Sequence, residues 1–249
     1  MDNTTYDIMI VGGGSAGWMS ASTLIKEFPD KKIAVIESPE IATIGVGEST
    51  IGQIRNWTTF LGIEDKSFLK HADGTYKLGI KFTDFYKKGE SFHYPFGVPV
   101  LEDTHDGFND WWYKKFIYPE TPYTDYVDCY FPQMALVNQN KLSINKDQQF
   151  DNFYFFADTA FHFDATKFGL WLRDFYCLPK GVVHIKEHID TIKQNENGEI
   201  ESLNGVHTAE LFIDCTGFSS LLLGKTLKVP FESYCPDLLP NNSAWATQL

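Results

Sequence analysis

The sequence predicts an α/β fold in which a βαβ unit is interrupted by an inserted, aromatic-rich antiparallel module. Two short apolar runs, at 6–11 and 33–36, flank a segment with helical periodicity, and a glycine-rich turn joins the first run to that segment. A stretch rich in rings and prolines, at 91–163, separates this unit from strand-like segments further along the chain. The predicted domain boundaries are 1–75 with 180–249 for the first domain and 76–179 for the second.

The elements of the βαβ unit follow from the hydrophobic pattern. The run at 6–11 ends at Gly12 and is long enough for a buried strand, while 33–36 is continuously apolar, as in a parallel strand covered on both faces. The predicted helix between them begins at Ser15 and ends before Pro29. The positions with helical spacing are Gly17, Ala21, Leu24 and Phe28.

Later elements are predicted by alternation, capping and turn residues. Residues 76–82 alternate at period two, which predicts one half-exposed antiparallel strand. Asn-Gly pairs at 197–198 and 204–205 indicate hairpin turns, so a three-stranded meander is expected over 182–214. Asp164 is the predicted N-cap of a helix through Cys177. Its predicted core-facing residues are Phe168, Trp171, Leu172 and Phe175.

The composition excludes several classes of protein. The 249 residues carry 21 Lys and Arg against 33 Asp and Glu, a formal charge of −12, which argues against binding nucleic acid or an anionic membrane. The four cysteines show no C-x-x-C pairing and no His at zinc spacing, so no metal site is expected. No signal peptide is visible and no apolar run reaches the ~18 residues of a membrane helix, so a cytoplasmic protein is predicted.

The turn after the first strand carries a dinucleotide-binding fingerprint. Residues 12–17, Gly-Gly-Gly-Ser-Ala-Gly, fit G-x-G-x-x-G between a strand and a helix. The glycines allow a pyrophosphate to approach the backbone, and the helix N-terminus offers it N–H groups and a positive dipole. An acid about 20 residues further on binds ribose hydroxyls in such units, and Glu37 has that position. The predicted cofactor-binding residues here are Gly12, Gly14, Ser15, Ala16, Gly17 and Glu37.

The order of elements favours FAD over a nicotinamide dinucleotide. A βαβ unit, a long insertion and a later strand that ends in Asp-Cys-Thr-Gly at 214–217 are typical of Rossmann-like domains of the glutathione-reductase type, in which FAD lies extended. This step is an analogy between folds. It makes Gly217 a further predicted cofactor-binding residue.

Six sequence segments, taken together, identify a protein family more specifically than the glycine fingerprint alone. They are 12–19 (Gly-Gly-Gly-Ser-Ala-Gly-Trp-Met), 45–50 (Gly-Val-Gly-Glu-Ser-Thr), 76–82 (Tyr-Lys-Leu-Gly-Ile-Lys-Phe), 161–165 (Phe-His-Phe-Asp-Ala), 211–218 (Leu-Phe-Ile-Asp-Cys-Thr-Gly-Phe) and 242–248 (Asn-Ser-Ala-Trp-Ala-Thr-Gln). In this order they resemble the flavin-dependent tryptophan halogenase family. The resemblance covers nearly the whole chain, which corresponds to the N-terminal part of a longer member.

The resemblance implies a reaction. Reduced flavin and oxygen form a hydroperoxide, halide attacks it to give hypohalous acid, and a lysine beside the aromatic substrate directs the halogen to the ring. The family lysine falls on Lys77, the predicted catalytic residue, and not on Lys81. Alternation alone places both lysines on one strand face and indicates a solvated edge. The implied cofactors are FAD, as FADH2, and a halide ion, without a metal.

The resemblance also implies partners: a separate flavin reductase that supplies FADH2 and an aromatic small molecule as substrate. A homodimer is an open alternative for the assembly. The segment at 45–50 would be a strap against the flavin, which makes Gly47, Glu48 and Thr50 predicted cofactor contacts. The alternative is a flexible turn before the next helix.

Tyr94, Pro95 and Phe96 are the predicted substrate-binding residues. They lie where members specific for tryptophan line the indole pocket, and Phe96 keeps a ring that can stack on an aromatic substrate. This chain has Tyr94 and Pro95 where the family typically has His and Ser, which puts tryptophan itself in question. Generic aromatic core is the alternative for Phe96.

Three functions are compatible with the sequence. The first is a flavin-dependent halogenase that acts on an electron-rich aromatic compound. The second is an FAD monooxygenase, which would hydroxylate its substrate and consume NAD(P)H directly. The third is a truncated, non-catalytic flavin-binding protein. The family motif Gly-Trp-x-Trp-x-Ile-Pro, a catalytic glutamate and the last flavin- and halide-binding segment are all expected beyond Leu249.

Overall fold

The computed structural model describes residues 5–41, 49–99, 107–142, 155, 158–234, 238 and 243. By their mutual contacts these residues form two compact units. The first contains the described residues of 1–48, 66–73 and 163–249, and the second those of 49–65 and 74–162. The domain boundaries expected from the sequence, 1–75 with 180–249 and 76–179, stay a prediction. By its contacts, the helix that follows Asp164 groups with the first unit.

The described residues form ten strands, seven α-helices and four helical segments of other types. The strands are β1 (Thr5–Val11), β2 (Ile33–Glu37), β3 (Thr75–Lys77), β4 (Gly79–Thr83), β5 (Ser91–Pro95), β6 (Ala160–His162), β7 (Val183–Lys186), β8 (Ile192–Gln194), β9 (Ile200–Leu203) and β10 (Thr208–Asp214). The helices are α1 (Ser15–Glu27), α2 (Ile54–Leu61), α3 (Asp65–Phe68), α4 (Gly107–Ile117), α5 (Asp125–Tyr130), α6 (Met134–Val137) and α7 (Ala165–Trp171). The other helical segments are π-helical (Leu172–Cys177 and Leu221–Thr226) or 3₁₀-helical (Leu178–Lys180 and Gly217–Ser219).

A four-stranded parallel sheet organises the first unit, in the order β10-β1-β2-β7. Val11 pairs with Ile36 on one side and with Asp214 on the other, so β1, β2 and β10 end at one edge. Both central strands are apolar and nearly all buried, and α1 buries Trp18 and Ala21 in the same unit. This confirms the predicted βαβ unit. The strand order reverses between β1 and β10, where open parallel sheets bind ligands.

Two rings of the predicted helices are exposed, one of which, Phe175, was predicted to face the core. Phe28 follows the last residue of α1 and is 49% exposed. Phe175 is 60% exposed because α7 continues as a π-helix, and the wider turn moves the inward position to Tyr176. The predicted cap is confirmed, since the Asp164 carboxylate accepts a hydrogen bond from the Lys167 backbone N–H at 2.8 Å.

The second unit contains two antiparallel strand pairs, β3 with β6 and β4 with β5. The single strand predicted over 76–82 is therefore wrong, because the chain passes from one pair to the other at Leu78. The Leu78 carbonyl accepts a hydrogen bond from the Phe96 backbone N–H at 2.9 Å, which fixes this switch at the end of β5. Lys77 and Lys81 consequently belong to different strand pairs.

The meander predicted over 182–214 is also wrong. The strands β7 and β10 join β2 and β1 in the parallel sheet, and β8 and β9 pair with each other as a hairpin. Both predicted turns nevertheless form, with positive φ at Gly198, Asn204 and Gly205. An Asn-Gly turn reverses the chain locally, whereas the sheet that a flanking strand joins is set by long-range pairing.

Some features expected of other protein classes do not occur in the described ranges. No helix there is both long and apolar enough to cross a membrane. No group of three or more His, Cys, Asp or Glu side chains there is placed to hold a metal ion. Cys129, Cys177 and Cys215 are free thiols.

Candidate active site

The glycine turn between β1 and α1 admits only glycine at two of its positions. Gly12 has φ +112°, and a Cβ there would lie 2.3 Å from the carbonyl oxygen of Cys215. A Cβ on Gly17 would lie 1.9 Å from the carbonyl oxygen of Gly12. The strand and the helix therefore meet at backbone contact distance, as a dinucleotide-binding turn requires.

The first turn of α1 presents backbone N–H groups. Gly14 is the N-cap residue, and no side-chain hydrogen bond caps this helix in the described part of the chain. The Ser15 hydroxyl donates to the carbonyl oxygen of Ala165 at 3.0 Å. The group that Ser15 can offer a ligand is therefore its backbone N–H rather than its hydroxyl. With the N–H of Ala16 and the positive end of the helix dipole, this turn fits a pyrophosphate.

Glu37 ends β2 at the same edge of the sheet. Its Oε1 atom lies 2.6 Å from Nε2 of His184 on the neighbouring strand β7. Its other carboxylate oxygen lies against Gly13, where a Cβ would be only 1.5 Å away. The His184 ring in turn packs edge-on against Trp18, with 5.2 Å between the ring centroids. The Glu37 carboxylate, which is predicted to bind the ribose hydroxyls, is therefore held beside the glycine turn.

The residues after β10 form the third part of this edge. The Asp214 carboxylate accepts hydrogen bonds from the Thr216 hydroxyl at 2.6 Å and from the backbone N–H groups of Leu222 and Leu223 at 2.8 and 2.9 Å. Burial raises the pKa of Asp214, but the hydrogen bonds outweigh burial and hold this pKa below its ordinary value. Gly217 follows with φ +59°. The fingerprint, Glu37 and Gly217 thus lie at the carboxyl ends of adjacent strands.

Replacing Gly17 with Ala should disrupt this site. The added methyl group would overlap the Gly12 carbonyl, and we expect a loss of about 1–3 kcal/mol of unfolding free energy together with loss of bound flavin. Denaturant titration and flavin absorbance after gel filtration measure both effects. Gly169→Ala is the matched control, because its Cβ would meet the nearest atom at 3.5 Å, an ordinary contact. Equal behaviour of the two variants would contradict the close approach of β1 and α1.

Lys77 is a buried lysine in the second unit. Its side chain is at the end of β3, the residue is 8% exposed, and burial lowers its pKa below 10.5. The Nζ atom donates to the Ser49 hydroxyl oxygen at 2.7 Å and to the Thr50 carbonyl oxygen at 2.9 Å. It also lies 5.4 Å from the centroid of the Phe96 ring. The amine is therefore fixed in position, and its neutral form is more accessible than that of a solvated lysine.

The Ser49-Thr50 segment is itself fastened to β6. The Thr50 backbone N–H donates to the Phe161 carbonyl oxygen at 2.9 Å, and the Thr50 hydroxyl oxygen accepts from the Phe161 N–H at 2.9 Å. Ser49 also forms an isolated bridge with His162. Ser49 was not among the predicted site residues, although it lies in the Gly-Glu-Ser-Thr motif. Gly47 and Glu48, which were, lie outside the described residues.

A buried ionic network contacts β3 through Tyr76 in the same unit. The Arg55 guanidinium contacts both carboxylate oxygens of Asp65 at 2.6 Å and donates to the Thr159 hydroxyl at 3.0 Å. The Tyr76 hydroxyl donates to Asp65 at 3.0 Å, and burial with the Asp65 charge raises the pKa of Tyr76 to about 12. The guanidinium also stands 4.5 Å from the centroid of the Phe161 ring. No sequence motif predicts this network, which fixes Tyr76, the residue next to Lys77.

Lys77 lines a cavity of about 540 Å³ within the second unit. His93 and Pro95 also line this cavity, whereas Tyr94, between them on β5, is 61% exposed. Phe96 is buried, and its backbone carbonyl accepts a hydrogen bond from the Gln133 side-chain amide. The fold thus brings Lys77, Pro95 and Phe96 together, while the ring of Tyr94 faces outwards.

The lowered pKa of Lys77 predicts a pH dependence of stability. Between the folded-state pKa and the unfolded value of 10.5, the folded chain binds fewer protons than the unfolded chain, so the unfolding free energy rises with pH in this window. Lys77→Met removes this contribution. We therefore expect the stability of the wild type, relative to the variant, to increase from neutral pH towards 10.5, as measured by denaturant titration. A difference that stays constant with pH would contradict a lowered pKa.

Comparison with known proteins identifies the family of the chain. The chain matches the model of the tryptophan halogenase family over residues 7–249. It is 34% identical to the 7-chloro-L-tryptophan 6-halogenase KtzR of Kutzneria sp. (strain 744), over 97% of this chain and 50% of that protein. The crystal structure of the tryptophan 6-halogenase SttH from Streptomyces toxytricini superimposes with a TM-score of 0.79 at 31% identity, over 92% of this chain and 45% of that one.

The apo structure of VirX1 superimposes with a TM-score of 0.83 at 37% identity, over 93% of this chain and 46% of that chain. The chain spans about half the length of the relatives it matches. The family match covers both the glycine turn of the first unit and the lysine cavity of the second. The chain belongs to the tryptophan halogenase family.

Proposed function

We propose that this protein acts as a flavin-dependent halogenase on an electron-rich aromatic substrate, an indole or a phenol, with FADH2 supplied by a separate flavin reductase. The observation that carries the proposal is the placement of Lys77. Its amine is held by two hydrogen bonds next to a ring, and the residue lines a cavity of ligand size. A lysine with only a structural role has no need of a cavity.

The first unit offers the groups that a bound flavin dinucleotide needs. The N-terminus of α1 would hold the pyrophosphate, and the Glu37 carboxylate would bind the ribose hydroxyls. When bound, FADH2 supplies the electrons for the net conversion of oxygen, halide and a proton into hypohalous acid and water. Gly47, Glu48, Thr50 and Gly217 are retained as proposed flavin contacts. Thr50 already binds Phe161 and Lys77 in the second unit.

Lys77 would control where the oxidised halogen reacts. Free hypohalous acid oxidises many groups, so selective halogenation requires a group that holds it near one ring carbon. The Lys77 amine can donate a hydrogen bond to its oxygen or, when neutral, take the halogen on nitrogen. The ring carbon then gains the halogen and loses its proton, and the oxygen leaves as water. Pro95, which lines the cavity, and Phe96, next to the Lys77 amine, would orient the ring.

Product analysis of the full-length protein tests the proposal. With FADH2, oxygen and bromide or chloride, we expect indole- or phenol-type substrates to give a monohalogenated product in the mass spectrum, and none without halide. A hydroxylated product formed at the expense of NAD(P)H and without halide would contradict halogenation and favour an FAD monooxygenase.

A further inference from the structure

The two oxygens of the Glu37 carboxylate have different surroundings in the first unit. The Oε1 atom is 2.6 Å from Nε2 of His184. The Oε2 atom lies against Gly13 of the glycine turn, since a Cβ on that residue would stand only 1.5 Å away. Within the described ranges, no hydrogen-bond donor contacts Oε2. The protein therefore binds one carboxylate oxygen and leaves the other free beside the turn that fits a pyrophosphate.

The register of the parallel sheet places His184 to make this contact. His184 on β7 pairs with Val35 on β2. Glu37 lies two residues further along β2, so the side chains of His184 and Glu37 share one face of the sheet. A carboxylate has no hydrogen to donate, so the His184 Nε2 atom carries the hydrogen of this bond. Trp18, which is fully buried, packs edge-on against the imidazole ring and restricts its rotation.

Three other charged residues interact electrostatically with this pair or with each other. They are Arg173 and Asp174, in the π-helical segment after α7, and Lys186 on β7. The hydrogen bond from Arg173 lowers the pKa of Asp174, and electrostatic interaction with His184 and Lys186 adds to this effect. The bond with Asp174 and, to a smaller extent, the Glu37 charge raise the pKa of Arg173. None of the three residues forms a hydrogen bond with His184 in the described part of the chain, so its Nε2–H group is committed to Glu37.

We infer that His184 is a positioning residue of the flavin site, which holds the Glu37 carboxylate so that its Oε2 atom accepts a hydrogen bond from the 2′-hydroxyl of the adenosine ribose. The terminal torsion of a glutamate side chain is broad, so an unrestrained carboxylate would lose conformational freedom when the ribose binds. The hydrogen bond from His184 removes this freedom before the ligand arrives, which strengthens binding. The site should therefore distinguish a ribose from a 2′-deoxyribose. This inference rests on the proposed function, since it concerns how the proposed flavin is recognised.

Equilibrium dialysis of the full-length protein with oxidised flavin, without halide or aromatic substrate, tests the inference. The probes are FAD and its analogue that contains 2′-deoxyadenosine. The wild type should bind FAD about tenfold more tightly than the analogue, which lacks the hydrogen bond to the carboxylate. His184→Leu should reduce this ratio about fivefold, whereas His184→Gln, whose amide can still donate to Glu37, should keep most of it. His188→Leu is the matched control and should keep the wild-type ratio, because His188 is exposed and contacts Ser38 instead.

An unchanged ratio of the two affinities in His184→Leu would overturn the inference, even if both ligands bound more weakly, since such a loss would mean that His184 only supports the packing of the site. Equal loss of the preference in His184→Gln and His184→Leu would overturn it as well, because the hydrogen bond would then not be the cause. Binding requires no turnover, so the result is separate from halogenation. A protein that shows the expected ratios but halogenates no substrate would reject the proposed function and leave the role of His184 in place.

Discussion

Lys77→Met should abolish ring halogenation and leave FADH2 oxidation near the wild-type rate. The methionine side chain keeps most of the volume of lysine but has no N–H donor or nucleophilic nitrogen. A positioned side chain that exchanges a hydrogen bond or proton with a reacting group contributes about 10²–10⁴-fold, so we expect product formation to fall about 10³-fold. Liquid chromatography of the product and the absorbance change of the flavin measure the two rates.

Lys88→Met controls for the loss of a lysine from the second unit. Lys88 is exposed in the turn between β4 and β5, so this variant should form product at the wild-type rate. Ring halogenation that persists in Lys77→Met would show that another group directs the halogen. Loss of FADH2 oxidation in that variant would instead assign Lys77 a role before the directing step.

Arg55→Leu should be the most destabilising single change. Arg55 is 4% exposed, and its guanidinium binds the two oxygens of Asp65, whose side chain is only 14% exposed. Its removal leaves a buried carboxylate without its counter-ion, which typically costs about 3–5 kcal/mol. Denaturant titration should show this loss in the unfolding free energy. Lys31→Leu, which breaks an exposed ion pair with Asp7, should cost much less.

A double-mutant cycle separates the ion pair from the loss of packing. In Arg55→Leu/Asp65→Leu both charges are gone, so the double variant should be less destabilised than the sum of the single variants. Additive losses would mean that Arg55 acts through its ring contacts, such as the one with Phe161. The network also fixes Tyr76, so we expect folded Arg55 variants to halogenate poorly.

The βαβ unit could be predicted because its signals are local. A buried parallel strand is an apolar run, and the glycine turn is fixed by contacts such as that of Gly17 with Gly12. The strand break at Leu78 and the outward turn of Phe175 could not be predicted. The first depends on a hydrogen bond from Phe96, and the second on a π-helical turn that periodicity does not anticipate.

The candidate site likewise contains residues that could be predicted from the sequence and residues that could not. Family motifs singled out Lys77, and burial now separates it from Lys81, which is exposed. Ser49 lies in a family motif but was not predicted as a site residue, and the pair of Arg55 with Asp65 left no signal, since the partners of these residues come together only when the chain folds. The outward ring of Tyr94 follows from strand alternation on β5, where the neighbouring Pro95 takes the inward position.

In the proposed reaction, the Lys77 amine holds the oxidised halogen for the substrate ring. The most direct test is a competition between that ring and a small diffusible 1,3-diketone, which traps hypohalous acid in solution. The wild type should place the halogen on the ring, and Lys77→Met should release it to the trap at an unchanged total yield. The same ratio of ring product to trapped halogen in both proteins would contradict the claim.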